Sequence, residues 1–258
     1  MAEPHETVDL FVTCVGELVE PEVPAAAVRV LRRAGATVRV PVGQTCCGQP
    51  AWNAGFAAEA AAVARASLAA LDAGDDDAEV VVPAGSCATM IRLYWPALFD
   101  TVGDADAAER ARRLAPKVHE LTEWLAARPA DALPPMVRSS NGGTPGRIAY
   151  HRSCHMEREL HVQDQPLDLL RRVAGCEVAA WAADDRCCGF GGTFSVKLPE
   201  VSTAMADEKL DALPDGVAEI VGADATCLLQ LRTRAEQRGL PVTTRHIATV
   251  LDETTGTP

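Results

Sequence analysis

Hydrophobic and polar positions follow two different periods along this chain, and the two periods alternate. Short apolar runs rich in β-branched residues, at 80–82 and 219–221, are typical of buried strands. Between such runs, apolar residues recur every third or fourth position, which predicts helices at 23–34, with Gly35 as the stop signal, and at 56–71. Strands that alternate with helices predict right-handed crossovers and a mostly parallel sheet covered by helices.

The same order of elements occurs twice along the chain. The segment VDLFVTC is matched by GRIAYHRSC, AGATVRVPVGQTCCG by AGCEVAAWAADDRCCG, and AEVVVPAGSC by AEIVGADATC. The cysteine spacings agree too, because 32 positions separate Cys14 from Cys46 and 33 separate Cys154 from Cys187, and the next intervals are 40 and 39. Eight of the nine cysteines therefore fall in register, which indicates an internal duplication.

The duplication predicts an α/β protein of two similar Rossmann-like domains, each with a mostly parallel sheet flanked by helices. We place the first domain at 1–130 and the second at 147–258. The segment between them, 131–146, is rich in Pro, Gly and Ser and is predicted to be a linker. Near the end of each half, KVHELTEWL resembles TRHIATVL, which aligns His119 with His246 and indicates a shared structural task where the last helix begins.

The composition limits the classes of function. The chain of 258 residues has a formal net charge of -12, whereas nucleic-acid binders carry a basic stripe, so no nucleic-acid partner is expected. No apolar run reaches the roughly 18 residues that span a bilayer, and the acidic N-terminus has no signal-peptide pattern, which predicts a cytoplasmic protein without a transmembrane segment. Nine cysteines in a reducing compartment favour metal binding or redox chemistry over disulfides.

The registered cysteines come where predicted strands end. In an open α/β sheet that edge collects ligands, so each half is expected to bring four thiols to one point. The two predicted sets are Cys14, Cys46, Cys47 and Cys87, and Cys154, Cys187, Cys188 and Cys227. Thiolates select iron–sulfur clusters, zinc or copper(I).

The Cys-Cys-Gly order favours a multi-iron cluster over a single zinc ion. Adjacent cysteines can reach different irons if Gly48 or Gly189 bends the backbone sharply after them. Gly191 and Gly192 are further candidates, because they can bring backbone N–H groups to the sulfurs and so tune the reduction potential.

These cysteine blocks resemble the family of cysteine-rich CCG domains, whose members include a subunit of heterodisulfide reductase and iron–sulfur subunits of glycolate and glycerol-3-phosphate oxidoreductases. The blocks VTCVGELVEPEV, GQTCCGQPAWNAG, PAGSCATM, HRSCHMEREL and RCCGFGGTFSVK are most similar to the lactate-utilization branch of that family. The resemblance implies an iron–sulfur electron-transfer subunit of a complex that oxidises L-lactate to pyruvate, hence an oxidoreductase subunit that acts only with partner proteins. It also implies one or two [4Fe–4S] clusters per chain, held by the registered cysteines, and two partners: a ferredoxin-type iron–sulfur subunit and a third small subunit.

The chain departs from the broad family at one feature. Family members often end each motif with C-x-x-C, whereas Met90 and Gln230 stand here where the fifth cysteines would be, so each half keeps four. Two other functions stay open. One is the reduction of a disulfide or thiol substrate at the cluster, as in the heterodisulfide relatives, and the other is a zinc-stabilised scaffold.

Several other residues near the second cysteine block are weaker candidates. His151 and His155 flank Cys154 and are candidate acid–base residues. Arg152 is a candidate partner for a substrate carboxylate, with a structural salt bridge as the alternative. Cys176 has no counterpart in the first half and is predicted to be a core residue.

Overall fold

The computed structural model of the chain describes residues 6–73, 77–129, 131–133 and 147–252. The predicted linker 131–146 lies almost wholly outside the described residues, as do residues 74–76 and the last six residues of the chain.

Each half contains four strands and a set of helices within its described residues. The first half has β1 (Thr7–Leu10), α1 (Cys14–Leu18), α2 (Glu22–Arg33), β2 (Thr37–Arg39), α3 (Gln49–Asn53), α4 (Ala57–Asp72), β3 (Glu79–Val82), α5 (Gly85–Thr89), α6 (Trp95–Thr101), α7 (Ala105–Leu114), β4 (Val118–Glu120) and α8 (Leu121–Ala126). A π-helical turn, Met90–Tyr94, joins α5 to α6, and a 3-10 turn, Ala115–Lys117, precedes β4.

The second half repeats this order in a shorter form. It has β5 (Arg147–His151), α9 (Cys154–Arg158), α10 (Gln165–Arg172), β6 (Glu177–Val178), α11 (Phe194–Lys197), α12 (Pro199–Asp211), β7 (Glu219–Gly222), α13 (Ala225–Gln237), β8 (Thr243–His246) and α14 (Ile247–Asp252).

The two sheets have the same topology. The strand orders are β2-β1-β3-β4 and β6-β5-β7-β8, and every pairing is parallel. The registers also correspond, since Val8 lies opposite Glu79 in the first sheet and Ile148 lies opposite Glu219 in the second. This confirms the predicted α/β fold of two duplicated halves.

Helix α2 illustrates how the local pattern produces the fold. Its apolar stripe is buried, basic residues occupy its last turn, and Gly35 follows in a left-handed conformation with φ 93°. The buried stripe consists of Val23, Ala26, Ala27, Val30 and Leu31. Apolar residues at this spacing hold a helix against a sheet, because they form one continuous face.

The halves contact each other reciprocally. Helix α2 of the first half packs against α14 of the second, and their counterparts, α10 and α8, likewise pack against each other. In the same way, the contact of α5 with α9 has its counterpart in the contact of α13 with α1. Arg29 and Arg33 of α2 bind Asp252 and the Leu251 carbonyl near the end of α14. Such reciprocal contacts between equivalent helices indicate that a pseudo-two-fold axis relates the two halves.

One predicted alignment is wrong by one residue. Glu120 and His246 both end the last strand of their half and directly precede its last helix, and they lie opposite Val82 and Gly222, which end the third strands. His246 therefore corresponds to Glu120 and not to His119.

Among the described helices, none has the length and the apolarity that a bilayer crossing requires.

Candidate metal centres at the cysteine edge

The eight registered cysteines lie beyond the carboxyl ends of the strands, as predicted. Each half places its first cysteine at the start of a short helix, its cysteine pair in the loop after the second strand, and its last cysteine in the helix that follows the third strand. All eight are free thiols in the described structure. The equivalence extends to each helix start, because Cys14 begins α1 and Cys154 begins α9.

In the first half, the four sulfurs form one connected group. Sγ of Cys47 lies 3.3 Å from Sγ of Cys87, and Cys46 is hydrogen-bonded to both Cys14 and Cys47. Thiol donors from Cys14 and Cys47, together with the N–H of Gly48, lower the pKa of Cys46 to about 3. The pKa of Cys14 is raised by its hydrogen bond to Cys46 and by burial.

The second half repeats this arrangement. Hydrogen bonds from Cys154 and Cys188 lower the pKa of Cys187 to about 2, and those bonds and burial raise the pKa of both neighbours. In each half, therefore, hydrogen bonds from the neighbouring thiols favour ionisation of the first cysteine of the pair. Together with the other three thiols of its set, this cysteine forms a group of four soft donors.

Both Cys-Cys-Gly turns need their glycine. Gly48 has φ 90° and Gly189 has φ 87°, a left-handed conformation that other residues rarely adopt. A Cβ on Gly48 would lie 2.8 Å from the carbonyl oxygen of Ala60, and one on Gly189 would lie 2.4 Å from that of Ser202. Each glycine N–H also lies 3.4 Å from the sulfur of the first paired cysteine. The glycine thus turns the backbone back toward that sulfur.

The two cysteine sites are neighbours across the interface between the halves. One cavity is lined by the first cysteine set and another by the second, and six residues line both of them. These shared residues are Gln49, Ser86, Phe190, Gly192, Asp224 and Thr226. A wider cavity of about 590 Å³, lined by Asp9, Arg39 and Gly43 among others, contains none of the cysteines.

Asp224 is the buried charged residue at this shared wall. It is 1% exposed and accepts hydrogen bonds from the N–H of Ser86 (2.8 Å) in the first half and from the hydroxyl of Thr226 (2.9 Å) in the second. Its counterpart before α5 is Ala84. The sequence pattern did not single out Asp224; its one signal is a charged residue at a position where the other half has alanine.

Lys209 is a second buried charge that sequence reasoning missed. It is fully buried in α12, and its Nζ donates to the carbonyls of Ala183, Asp184 and Arg186 in the loop that carries the second cysteine pair. Burial lowers its pKa to about 8. In the first half, Ser67 has this role, because its hydroxyl accepts from the N–H of Thr45, the residue before the pair.

The candidate catalytic residues lie in different settings. His151 is buried, and burial lowers its pKa to about 3. His155 lines the second cavity, with Nδ1 2.7 Å from Oε1 of Glu159, whose other oxygen accepts from the hydroxyl of Tyr94 in the first half. Arg152 donates to Asp184 (3.0 Å), which favours the structural alternative for that guanidinium.

Three further residues lie in the packing around these sites. Cys176 is 6% exposed in the core, which confirms its predicted role. Met90 is fully buried, and Gln230 donates to the Ser202 hydroxyl (2.9 Å), so both are engaged in packing at the positions of the missing cysteines.

Comparison with known proteins agrees with this duplicated architecture. The family model for the cysteine-rich domain, CCG, matches the chain twice, at residues 8–92 and 148–232. The chain is 41% identical over 246 residues to lactate utilization protein A of Anoxybacillus flavithermus, and 43% identical over 246 residues to that of Geobacillus kaustophilus. It is also 38% identical over 245 residues to the uncharacterized protein YkgE of Escherichia coli. Each of these matches covers 95% of this chain and 98% of the relative.

Proposed function

The chain belongs to the family of cysteine-rich CCG domains, and from that premise we propose that it is the iron–sulfur electron-transfer subunit of a complex that oxidises L-lactate to pyruvate. The observation that carries this proposal is the pair of four-cysteine sets, which face each other across the interface in a chain similar over nearly its whole length to lactate utilization proteins. The domain limits 1–130 and 147–258 belong to the same proposal, with one cysteine set in each domain.

The donor groups fit an iron–sulfur cluster in each half. Every donor in the two registered sets is a cysteine sulfur, which favours iron–sulfur clusters over hard cations. The thiols lie close enough to share hydrogen bonds, and these hydrogen bonds lower the pKa of Cys46 and of Cys187. Bound at such a set, an iron–sulfur cluster supplies one-electron transfer at a potential tuned by surrounding hydrogen bonds and burial.

The residues of this chain then have distinct roles. The eight registered cysteines hold the metal groups, and Gly48 and Gly189 direct their N–H groups toward the sulfurs of Cys46 and Cys187. We further propose that Gly191 and Gly192, which line the second cavity, give the bound group a close approach to the backbone. Asp224 joins the two sites by bonding to both halves.

The lining of the two cavities also bears on where lactate binds. The described residues that line them include no lysine and no arginine. A lactate carboxylate would therefore find no cationic partner there, and Arg152 is already paired with Asp184. We accordingly assign lactate binding to a partner, with a ferredoxin-type iron–sulfur subunit and a third small subunit as the other members of the complex. His155 remains the candidate proton carrier at the second site.

The proposal is tested by growth on lactate. A strain that lacks this gene is complemented with the wild-type chain, with Cys187→Ser or Cys188→Ser, and with Cys176→Ala as the matched control. We expect the control to restore growth, because Cys176 lies in the core and the first half has Ala36 at that position. The two serine variants are expected to fail on lactate but to grow on pyruvate. Full growth on lactate with either serine variant contradicts the proposal.

A further inference from the structure

His151 gives the second cysteine set a donor that the first set lacks. Its side chain is 1% exposed, and neither Nδ1 nor Nε2 makes a hydrogen bond of ordinary length and angle to a described residue, although the Asp184 backbone lies close enough to interact with the ring. A buried polar group without such a hydrogen bond is energetically costly, so a partner from outside the chain is expected. A ring nitrogen of His151 and the sulfurs of Cys188 and Cys227 all lie within 4.8 Å of one another. The unpaired imidazole thus belongs to the cysteine site.

The neighbouring strand makes room for this imidazole. Gly222 on β7 lies directly opposite His151 on β5. A Cβ on Gly222 would lie 3.2 Å from Cδ2 of Leu228 and 3.6 Å from Cβ of His151. Gly222 is not among the glycines with positive φ, so it serves close packing at this point rather than an unusual backbone conformation.

The first half has a different pair at these positions. By the cysteine register, Phe11 corresponds to His151 and Val82 to Gly222, and both are fully buried and apolar. A large apolar ring beside valine has therefore been exchanged for an imidazole beside glycine, at the point nearest the cysteines. Both members of the facing pair differ between the halves, as expected if Gly222 makes room for an imidazole that binds a ligand.

We propose that an imidazole nitrogen of His151 binds iron in the second half, together with thiolates of its cysteine set. The first half, which has Phe11 at this position, holds its metal group by sulfur alone. This inference rests on the proposed function, because it takes iron as the metal. Imidazole and thiolate both ligate iron, and imidazole ligation raises the reduction potential of a cluster. The second site is therefore the one that is reduced first.

The inference is tested by pulsed EPR on the anaerobically purified, reduced chain. We expect a hyperfine coupling from a directly bound nitrogen, which changes from the ¹⁴N to the ¹⁵N pattern when only histidine is labelled with ¹⁵N. The coupling is expected to disappear in His151→Phe, which restores the side chain of the first half beside a glycine that leaves it room. The matched control is His155→Asn, which changes the histidine that lines the second cavity and should keep the coupling.

The labelling experiment on the wild-type chain needs no substitution, so a folding defect cannot obscure it. Iron and sulfide without a histidine coupling overturn the inference and leave the proposed function standing. Loss of the coupling in His155→Asn, with its retention in His151→Phe, also overturns it. A chain that binds neither iron nor sulfide contradicts the proposed function itself, and the inference fails with it. A potentiometric titration supplies a second readout, in which His151→Phe lowers the potential of one of two clusters.

Discussion

The two cysteine sites share their sulfurs and differ in what surrounds them. In both halves a Cys-Cys-Gly turn directs a glycine N–H back to the first sulfur at 3.4 Å. Around this common frame, the second half has buried His151, Lys209 and Asp224, whereas the first has apolar or neutral residues at the same positions. The arrangement of the cysteines has thus been kept through the duplication while the buried polar residues around it have changed, so the two sites are not equivalent.

The last helices of the two halves differ in a related way. Glu120 begins α8 by accepting from the N–H of Thr122 (2.7 Å), and His246 begins α14 by accepting from the N–H of Ala248 (3.1 Å). The same capping task is performed by an acid in one half and by a base in the other. The stability of each half is therefore expected to depend on pH in a different range.

Removal of one ligand in each half gives the largest expected effect. Cys47→Ser and Cys188→Ser change equivalent buried thiols, so each is expected to remove about half of the iron and sulfide while the other half keeps its own. Iron and sulfide analysis measures this directly, with Cys176→Ala as the control. Loss of all iron in both variants would mean that the halves form one shared site, which contradicts the claim that each half holds its own metal group.

Alanine at the turn glycines is expected to weaken both halves. Gly189→Ala and Gly48→Ala combine a left-handed φ with a Cβ that would meet a backbone oxygen, so each should destabilise the fold by roughly 2–4 kcal/mol. Thermal unfolding of the anaerobic protein measures the loss. Gly216→Ala is the matched control, because its φ is 76° but no atom lies within 4 Å of the added Cβ, and about 1 kcal/mol is expected there. Equal losses in all three variants would assign the effect to φ alone.

The two caps predict opposite pH dependences. Burial raises the pKa of Glu120 to about 8 from its ordinary 4.5, so its stabilisation is fully present below pH 4.5 and is lost as the pH rises to 8. Burial lowers the pKa of His246 to about 4 from 6.5, so its stabilisation is present above pH 6.5 and is lost as the pH falls to 4.

Replacement of each cap separates these contributions. Glu120→Gln should flatten the decline of unfolding free energy on the alkaline side, and His246→Asn should flatten the decline on the acid side, each by an amount on the order of 2 kcal/mol. Unfolding measured at closely spaced pH values from 4 to 8 checks both. A Glu120→Gln profile that matches the wild type above pH 5 would show that this carboxyl is ionised in the folded state.

The smallest expected effect concerns Lys209. Lys209→Met removes the buried amino group of α12 that donates to the loop carrying Cys187 and Cys188, so the second site should become harder to reduce while the first keeps its potential. Potentiometric titration followed by EPR measures both sites, and Ser67→Ala is the mirror control in the first half. An equal shift of both potentials would show that Lys209 does not act locally.

The sequence predicted the repeated features of the molecule and missed the unrepeated ones. Two copies of one pattern specified the parallel sheets and the positions of the eight cysteines, because register at strand ends leaves little freedom. Lys209 and Asp224 were missed, since a lysine and an aspartate in a helical pattern are typical of solvated faces. Their burial follows from how α12 and α13 pack onto the cysteine loops, which composition does not show.

The alignment of His119 with His246 failed for a similar reason. The two histidines are identical residues but lie one position out of register. Glu120 and His246 differ in type, yet they occupy the same backbone position, and each accepts a hydrogen bond from the N–H two residues further on. Likewise, His151 was a candidate by proximity in sequence alone. Its unpaired ring and the facing Gly222 became visible only when β5 and β7 lay side by side.

The central claim is that each half holds an iron–sulfur cluster and that the two clusters differ. The most direct test is iron and acid-labile sulfide per chain on anaerobically purified protein, with EPR recorded during stepwise reduction. We predict about eight irons and eight sulfides per chain, as for two four-iron clusters, and two signals that appear at different potentials. Zinc without sulfide, or a single signal with about four irons, would contradict the claim.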